Sequence, residues 1–463
     1  MTALLPATAP TAVSRPRAGS PLGRDLVLVS TAFSVVVVVA LWLAGSGLQA
    51  LGGGLGIMLT SAGRLTGLVA ADLLLVQVLA MARVPWVERA IGQDRLARWH
   101  RVLGFTSFSL VLAHIALVSV GYAVTAHVGV LSQVWDLVWS YPGMLLATAG
   151  TGALVLVVVT SVRAARRRLR YESWHLLHLY AYLGVGLALP HQIWTGTDFI
   201  FSPFARAYWW TLYAVVLASV LVYRLGLPVY RTLRHRVVVS RVVEEAPGVV
   251  SVHLSGRALH RLPVRAGQFF VWRFLDGPGW SRGHPYSLSA APHPSMLRIT
   301  VKDLGDGSRR LADVRPGTRV LLEGPYGALT SDRRTRARAT LMASGIGITP
   351  LRALLEDLPA GTTVIYRARD EADLALRAEI DALASARGDR VVYLLGPRAR
   401  DGSWLPEDWA HVGEVAALRH LVPDIAKQDV FVCGPEAWTD AALTALRQAG
   451  VPDAQVHVER FTY

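Results

Sequence analysis

The stretch Trp99-His100-Arg101-Val102-Leu103-Gly104-Phe105-Thr106-Ser107-Phe108-Ser109-Leu110-Val111-Leu112-Ala113-His114 sets two histidines fourteen residues apart, with no charge between them after Arg101. A second pair, His178 and His191, stands thirteen apart between Ser173 and Gln192. Fourteen residues of α-helix rise ~21 Å and come within ~40° of four full turns, so His100 and His114 share one helix face. Imidazole is a natural axial ligand for haem iron, and two facing helices can each supply one. A lone histidine in such a helix is more often an ordinary hydrogen-bonded residue. Four of them, in two pairs at matched depths, point to function, because ionisable groups inside a membrane are costly. The reading is of two b-type haems, with His100 paired to His178 and His114 to His191. The second helix fits less well, since thirteen residues fall ~140° short of four turns. A bend at Pro190, helped by Gly184 and Gly186, is needed to re-aim His191. His175 competes with His178 from one turn earlier, and His127 falls in an outer loop as an ordinary residue.

Outward from these helices, the 463 residues are too many for one core. Mean hydropathy of +0.37 averages an apolar first half with a soluble second half. Leu26 to Gly63 carries no charge and is broken by Gly45-Ser46-Gly47 and Gly52-Gly53-Gly54, which predicts helices over about 26–48 and 57–82. Others are predicted over 99–124, Leu137–Val162, Ser173–Gln192 and Ala207–Tyr223. Each is near the ~20 residues a bilayer requires. The sum is a six-helix transmembrane domain over 25–228, preceded by a disordered cytoplasmic tail over 1–24 that is rich in Ala, Thr, Pro and Arg. The apolar run after the tail is too long for a signal-peptide core and lacks a cleavage site.

Arg83, Arg89, Arg95 and Arg98 follow the second helix, and Arg163, Arg166, Arg167, Arg168 and Arg170 the fourth. Arg224, Arg231, Arg234 and Arg236 follow the sixth, while the opposite loops hold little beyond Arg206. Retention of positive charge in the cytoplasm then places both termini inside a multi-pass cell-membrane protein. It also accounts for much of the net charge of +14, so membrane lipid is the expected partner rather than nucleic acid. Cys433 is the single cysteine, which excludes intrachain disulfides and a cysteine-ligated iron–sulfur cluster. Arg64 enters the second helix near the outer face, with Asp72 two turns deeper. One reading is a snorkelling arginine and a packing aspartate; the other puts Arg64 beside the outer haem, against a propionate or an anionic acceptor.

From about 234 to 325 short strands alternate with Gly/Pro turns: Arg236–Val243, Val249–Leu254, Gln268–Phe274, Met296–Val301 and Arg319–Glu323. That pattern predicts a small antiparallel β-barrel. Within it, His284-Pro285-Tyr286-Ser287-Leu288-Ser289 offers an aromatic face and hydroxyls that suit a flavin. Lys302-Asp303-Leu304-Gly305-Asp306-Gly307-Ser308 is a turn whose backbone N–H groups suit a pyrophosphate. From about 338 strand and helix alternate, with strands at Thr340–Ala343, Val364–Tyr366, Val391–Leu395 and Val430–Val432. A doubly wound α/β domain is the economical fold. Ser344-Gly345-Ile346-Gly347-Ile348-Thr349-Pro350 lies between strand and helix, where the backbone can approach a phosphate. Cys433-Gly434-Pro435 follows the last of these strands.

In this order the motifs resemble the ferredoxin–NADP reductase superfamily. With the membrane half, the chain from about residue 25 onward resembles the ferric reductase / NADPH oxidase family. The resemblance implies an FAD-binding barrel over 232–330 and an NAD(P)-binding domain over 336–463. It implies that His284, Pro285, Tyr286 and Ser287 contact FAD, with Lys302, Gly307 and Ser308 at its pyrophosphate. Gly345, Gly347, Thr349 and Pro350 then line the nicotinamide nucleotide together with Cys433, Gly434 and Pro435. Phe461, or Tyr463 two residues on, matches the aromatic that covers the flavin. Arg369 matches the position that recognises a 2′-phosphate, and two arginines after this strand favour NADPH, with NADH possible. Arg64 resembles an arginine beside the outer haem.

The expected function is electron transfer from cytoplasmic NAD(P)H through FAD and two haems to oxygen or ferric iron at the outer face. A rival of another class is a relay subunit that reduces a periplasmic or membrane redox protein. The short outer segments 125–137 and 192–207 tilt the balance to a small acceptor. A flavin reductase anchored by its membrane half is the weakest reading, because an anchor needs one helix. No motif fixes an oligomeric state.

Overall fold

A computed structural model describes residues 21–45, 47–166, 171–277, 279–400 and 402–461. The expected tail up to residue 20, Arg167, Arg168, Arg170 and Tyr463 lie outside the described residues. Residues Pro21–Leu225 form one compact unit and Gly226–Tyr463 another.

The first unit is helical. Its long helices are α1 (Pro21–Ala44), α2 (Leu55–Ala80), α3 (Gln93–Ala126), α5 (Met144–Ser161), α6 (Tyr171–Thr195) and α7 (Pro203–Ser219), with the shorter α4 (Val130–Ser140) between α3 and α5. A π-helical stretch, Val220–Gly226, carries α7 on into α8 (Leu227–His235), with which the second unit opens. Among the described residues, five helical runs are long and apolar enough to cross a membrane: Asp25–Ala44, Leu55–Ala80, Arg95–Ala126, Met144–Ser161 and Pro203–His235. Helix α6 matches them in length, but His175, His178, His191 and Gln192 dilute its apolar character. The fourth predicted helix differs in detail: Tyr141-Pro142-Gly143 divides it, so Leu137 belongs to α4.

Two helix pairs pack through glycine. A Cβ on Gly56 would come 2.3 Å from the Thr125 hydroxyl, and one on Gly121 2.4 Å from that of Thr60, so α2 and α3 meet at small residues. Helices α5 and α6 meet glycine to glycine, where a Cβ on Gly150 would lie 2.7 Å from the Gly184 carbonyl. Gly184 therefore has a packing role in place of the bending role that its position near Pro190 suggested. Asp72, fully buried, accepts from Ser34 Oγ at 2.6 Å and Tyr208 OH at 3.1 Å, which ties α1, α2 and α7 together. This is the packing role that an unpaired membrane carboxylate would otherwise lack.

Among the described residues, the second unit holds three sheets. The antiparallel sheets β1-β2-β5 and β4-β3-β6 use β1 (Val238–Ala246), β2 (Val249–Ser255), β3 (Phe269–Phe274), β4 (His284–Ser287), β5 (Met296–Lys302) and β6 (Val320–Tyr326). They enclose one core around Val252, Leu254, Phe270, Trp272, Ile299 and Leu322, and single bridges at Val238–Arg319 and Leu288–Ile299 join their edges. Two three-stranded sheets stand where the sequence predicts a small barrel.

The third sheet is wholly parallel, in the order β11-β10-β7-β8-β9. Its strands are β7 (Ala339–Ser344), β8 (Thr363–Arg367), β9 (Arg390–Leu394), β10 (Asp429–Gly434) and β11 (Val456–Arg460). Helices α9 (Ile348–Asp357), α10 (Arg377–Arg387), α11 (Glu414–Leu421) and α12 (Glu436–Gln448) cover its two faces. The chain winds outward from β7 to β9 and then returns to β10 on the other side of β7. The order therefore reverses between β7 and β10, the place where doubly wound sheets bind ligands.

Candidate functional site

Helices α3 and α6 bring the histidines together. His100 and His178 face each other edge to face, with ring centroids 5.7 Å apart. His191 lies within electrostatic range of His114. Helix α6 runs unbroken through Pro190, which has no N–H for the Gly186 carbonyl. At that level Gly143, in the left-handed conformation at φ +80°, seats α5 against His191, where a Cβ would come 2.8 Å from its backbone nitrogen. His178 is the member of the His175/His178 pair that faces His100. His127 ends α3 in a left-handed cap.

The second nitrogens decide the chemistry. His114 Nδ1 donates to the Gly63 carbonyl at 2.8 Å and His191 Nδ1 to the Ala188 carbonyl at 2.5 Å. A carbonyl only accepts, so each Nδ1 carries the proton and each Nε2 keeps a free lone pair. That arrangement is what an axial ligand requires. The ring of His114 also lies on Gly67, where a Cβ would come 2.5 Å from Nδ1. His178 Nδ1 sits 3.4 Å from Ser161 Oγ, and the His100 ring lies by the Gln77 backbone without a formed hydrogen bond at Nδ1. Arg64 follows Gly63 directly and acts electrostatically on Tyr122, whose ring is 6.3 Å from that of Tyr141.

In the two-sheet domain, β4 carries His284 and Tyr286 on one side, because alternate strand residues share a face. Their rings stack 5.8 Å apart at 13°. Gly307 packs on the His284 ring, where a Cβ would come 2.5 Å from Cε1. Pro285 is exposed between them, and the buried Ser287 Oγ has no hydrogen-bond partner among the described residues. A stacked aromatic face beside an unsatisfied hydroxyl fits a flavin. Two other residues are already engaged: Lys302 Nζ donates to Asp373 Oδ1 at 2.9 Å, and Ser308 Oγ closes its own turn through Leu304 N and Gly305 O.

At the switch point, Gly345, at φ +54°, opens the tight turn Gly345–Gly347 after β7. Gly347 lies so close to β10 that a Cβ would come 2.3 Å from the Cys433 carbonyl. Thr349 and Pro350 are buried in the first turn of α9, and Thr349 Oγ1 donates to the Ile346 carbonyl at 3.0 Å. Gly434 ends β10 and Pro435 precedes α12, so two helix N-termini converge here. Phe461, half-buried after β11, packs on the core cluster that includes Cys433 and Ile346.

The two arginines after β8 have different fates. Arg367 is buried and its guanidinium donates to the carbonyls of Ala368, Leu394 and Gly396; burial and then Arg398 pull its pKa down. Arg369 is exposed, and its carbonyl accepts from Gly396 N at 2.9 Å. This pairing brings the exposed Arg398 to the same sheet edge. The sequence reading missed Arg398, although Gly396-Pro397-Arg398 directly follows a strand and carries the needed signal.

Both halves of the chain match known protein families. Residues 66–189 match the family described as ferric reductase like transmembrane component, and residues 341–443 match the oxidoreductase NAD-binding domain. Ferredoxin--NADP reductase B of Sorangium cellulosum is 33% identical over 208 residues, which is 42% of this chain and 84% of that protein. The ferredoxin reductase component of 3-ketosteroid-9-alpha-monooxygenase from Mycolicibacterium smegmatis is 32% identical over 212 residues, 44% of this chain and 57% of that protein. The flavohem-like FAD/NAD binding domain of nitric oxide dioxygenase from Vibrio cholerae is similar at 22% identity and a TM-score of 0.40, over 49% of this chain and 98% of that one. The chain is a membrane-associated NAD(P)H-dependent oxidoreductase: it belongs to the ferredoxin–NADP reductase family and joins a ferric reductase like transmembrane component to a FAD/NAD-binding reductase module.

Proposed function

We propose that the chain carries electrons from cytoplasmic NADPH through FAD and two b-type haems to a small acceptor, oxygen or ferric iron, at the outer face of the cell membrane. The observation that carries this reading is the state of the histidines: His100 faces His178, His191 lies within electrostatic range of His114, and His114 and His191 are each fixed by a carbonyl so that Nε2 is free. Haem supplies one-electron chemistry, and a flavin accepts two electrons while releasing them singly. The chain's own residues hold and separate these groups. His100 and His178 form the inner station, His114 and His191 the outer one, and α6 completes a six-helix membrane domain. His284 and Tyr286 give the flavin a face, Gly307 and Ser287 flank it, and the turns at Gly345–Gly347 and Cys433–Pro435 take the nucleotide. Arg369 takes its 2′-phosphate, Phe461 covers the flavin ring, and Arg64 presents positive charge near the outer pair.

An absorption spectrum of the purified full chain, oxidised and reduced, tests the haem assignment. NADPH-driven superoxide or ferrous iron production, with no partner added, tests the acceptor. One observation favours the relay reading. Helix α4, which spans the predicted outer segment and the start of the predicted fourth helix, exposes Leu131 (87%), Trp135 (68%) and Trp139 (58%) at a spacing of four, an apolar stripe of the kind a protein partner covers. Haem reduction with neither product formed would favour that partner.

A further inference from the structure

The NAD(P)H–flavin reaction needs two faces held at one distance, and the sheets that carry them come from different layers of the second unit. Between those layers lies a set of paired charges whose two arginines are buried. Arg298 on β5 is 6% exposed. Its guanidinium donates to Glu379 Oε1 at 2.8 Å and Oε2 at 2.7 Å, and to Ser289 Oγ at 3.0 Å and its carbonyl at 2.7 Å. Arg352, also 6% exposed, brings Nε to 2.8 Å from Glu379 Oε2 and pairs through Nη1 with Glu356. Glu356 Oε1 in turn accepts from Ala291 N at 2.9 Å.

The contacts form a closed circuit. It starts at Ser289, two residues past Ser287 on the flavin-motif segment, and passes through β5 to α10. From there it crosses to α9, the helix that opens directly after Gly345–Gly347, and returns to Ala291. The alternation of β5 aims Arg298, Thr300 and Lys302 to one side. Thr300 Oγ1 donates to Ser289 Oγ at 2.7 Å, and Lys302 reaches Asp373 at 2.9 Å.

Apolar residues would close such a seam at least as stably, since burying ions costs desolvation. Charge-assisted, bidentate bonds instead fix direction and register. We propose that the Arg298–Glu379–Arg352 circuit is a positioning device that sets the separation between the flavin strand and the nucleotide turn for hydride transfer. In that reaction a hydride, one proton with two electrons, passes from the nicotinamide to the flavin. One further proton comes from solvent, leaving oxidised nucleotide and reduced flavin.

The test is Glu379→Gln in the full chain, read by stopped-flow flavin reduction and by the charge-transfer absorbance of the nucleotide–flavin complex. FAD content, melting temperature and nucleotide KM are the controls. The expected result is a fall of about 10- to 100-fold in the saturated rate of flavin reduction, on the scale of a misplacement of about 1 Å. The charge-transfer band weakens and hydrogen exchange quickens over residues 345–356, while FAD content and KM stay near their original values. Glu379→Asp recovers part of the rate. If Glu379→Gln fails to fold, Arg352→Lys, which keeps the charge but loses the Nε contact, is read in the same way. A full rate with an unchanged band overturns the proposal. So does a rate loss that merely follows loss of FAD or a rise in KM.

Discussion

The two units hold their important side chains by different means. In the helical unit the backbone holds the site: Gly63 and Ala188 carbonyls hold the histidines, and the Ser61 carbonyl takes the Trp42 indole, with Asp72 as the side-chain exception. In the reductase unit side chains hold one another, as in Arg298 with Glu379 and His457 with Asp429 at 2.9 Å. A helix in lipid has its N–H groups committed, but each carbonyl keeps a second lone pair, which is the cheapest polar partner where charge is costly. At a seam whose carboxylates still reach water, paired charges are tolerable and more directional. A substitution therefore acts by shape in the first unit and by charge in the second.

His114→Leu breaks the first side of that contrast most severely. On the proposed haem assignment it removes one ligand of the outer pair, so bound haem should fall by about half or show an altered reduced spectrum. NADPH-driven flavin reduction should continue while delivery to the outer acceptor stops.

Gly347→Ala is a change of shape placed in the charge-dominated unit. Its methyl group meets the Cys433 carbonyl, which is backbone and cannot swing aside. Overpacking of this kind costs about 1–3 kcal/mol. Nucleotide KM should rise about tenfold, and thermal unfolding measures the stability loss.

Arg369→Ala sharpens the charge side. Loss of a charge-assisted bond, about 1.5–3 kcal/mol, should raise the NADPH KM by roughly 10- to 100-fold and leave NADH nearly unchanged. Arg398→Ala should act in the same direction, whereas Arg367→Ala should cost stability first.

The smallest effect is a pH dependence. His253 on β2 is pushed down to about 4, chiefly by burial and then by Arg241 and Arg298. Its folded value lies below the unfolded ~6.5, so stability begins to fall as pH drops below that point. Burial alone would raise Glu379, but Arg298 and Arg352 outweigh it and hold the carboxyl below its usual range. Its contribution is complete above ~4.3 and lost only as pH falls through the lower folded value. The groups around Glu379 are Arg298 from β5, Arg352 and Glu356 from α9, and His253. Melting temperature against pH should thus decline in two stages, and Glu379→Gln should remove the more acid one and deepen the other, because the Glu379 charge holds His253 up.

Much of this architecture was legible in the sequence because its signals are local. Fourteen-residue histidine spacing, Gly-rich turns after apolar strands and uncharged runs each lie within one element. Helix α4 was not legible, because Val130, Leu131, Val134 and Trp135 read equally as a loop between spans or the start of the next one. The engagement of Lys302 by Asp373 and of Arg298 by Glu379 was invisible for another reason: the partners are 71 and 81 residues apart. Gly184 was misread because a glycine looks the same in a sequence whether it bends a helix or admits a neighbour.

Cys433 has a consequence of its own. It is the only thiol, it is fully buried in β10, and burial pushes its pKa well up. Only a thiolate reacts readily with peroxide, and oxidation beyond the sulfenic state is largely irreversible. If the proposed outer-face product is a reduced oxygen species, the chain would present its own oxidants with no reactive thiol. Its resistance to peroxide would be set by methionine and haem, and thiol reductants would neither protect nor restore it.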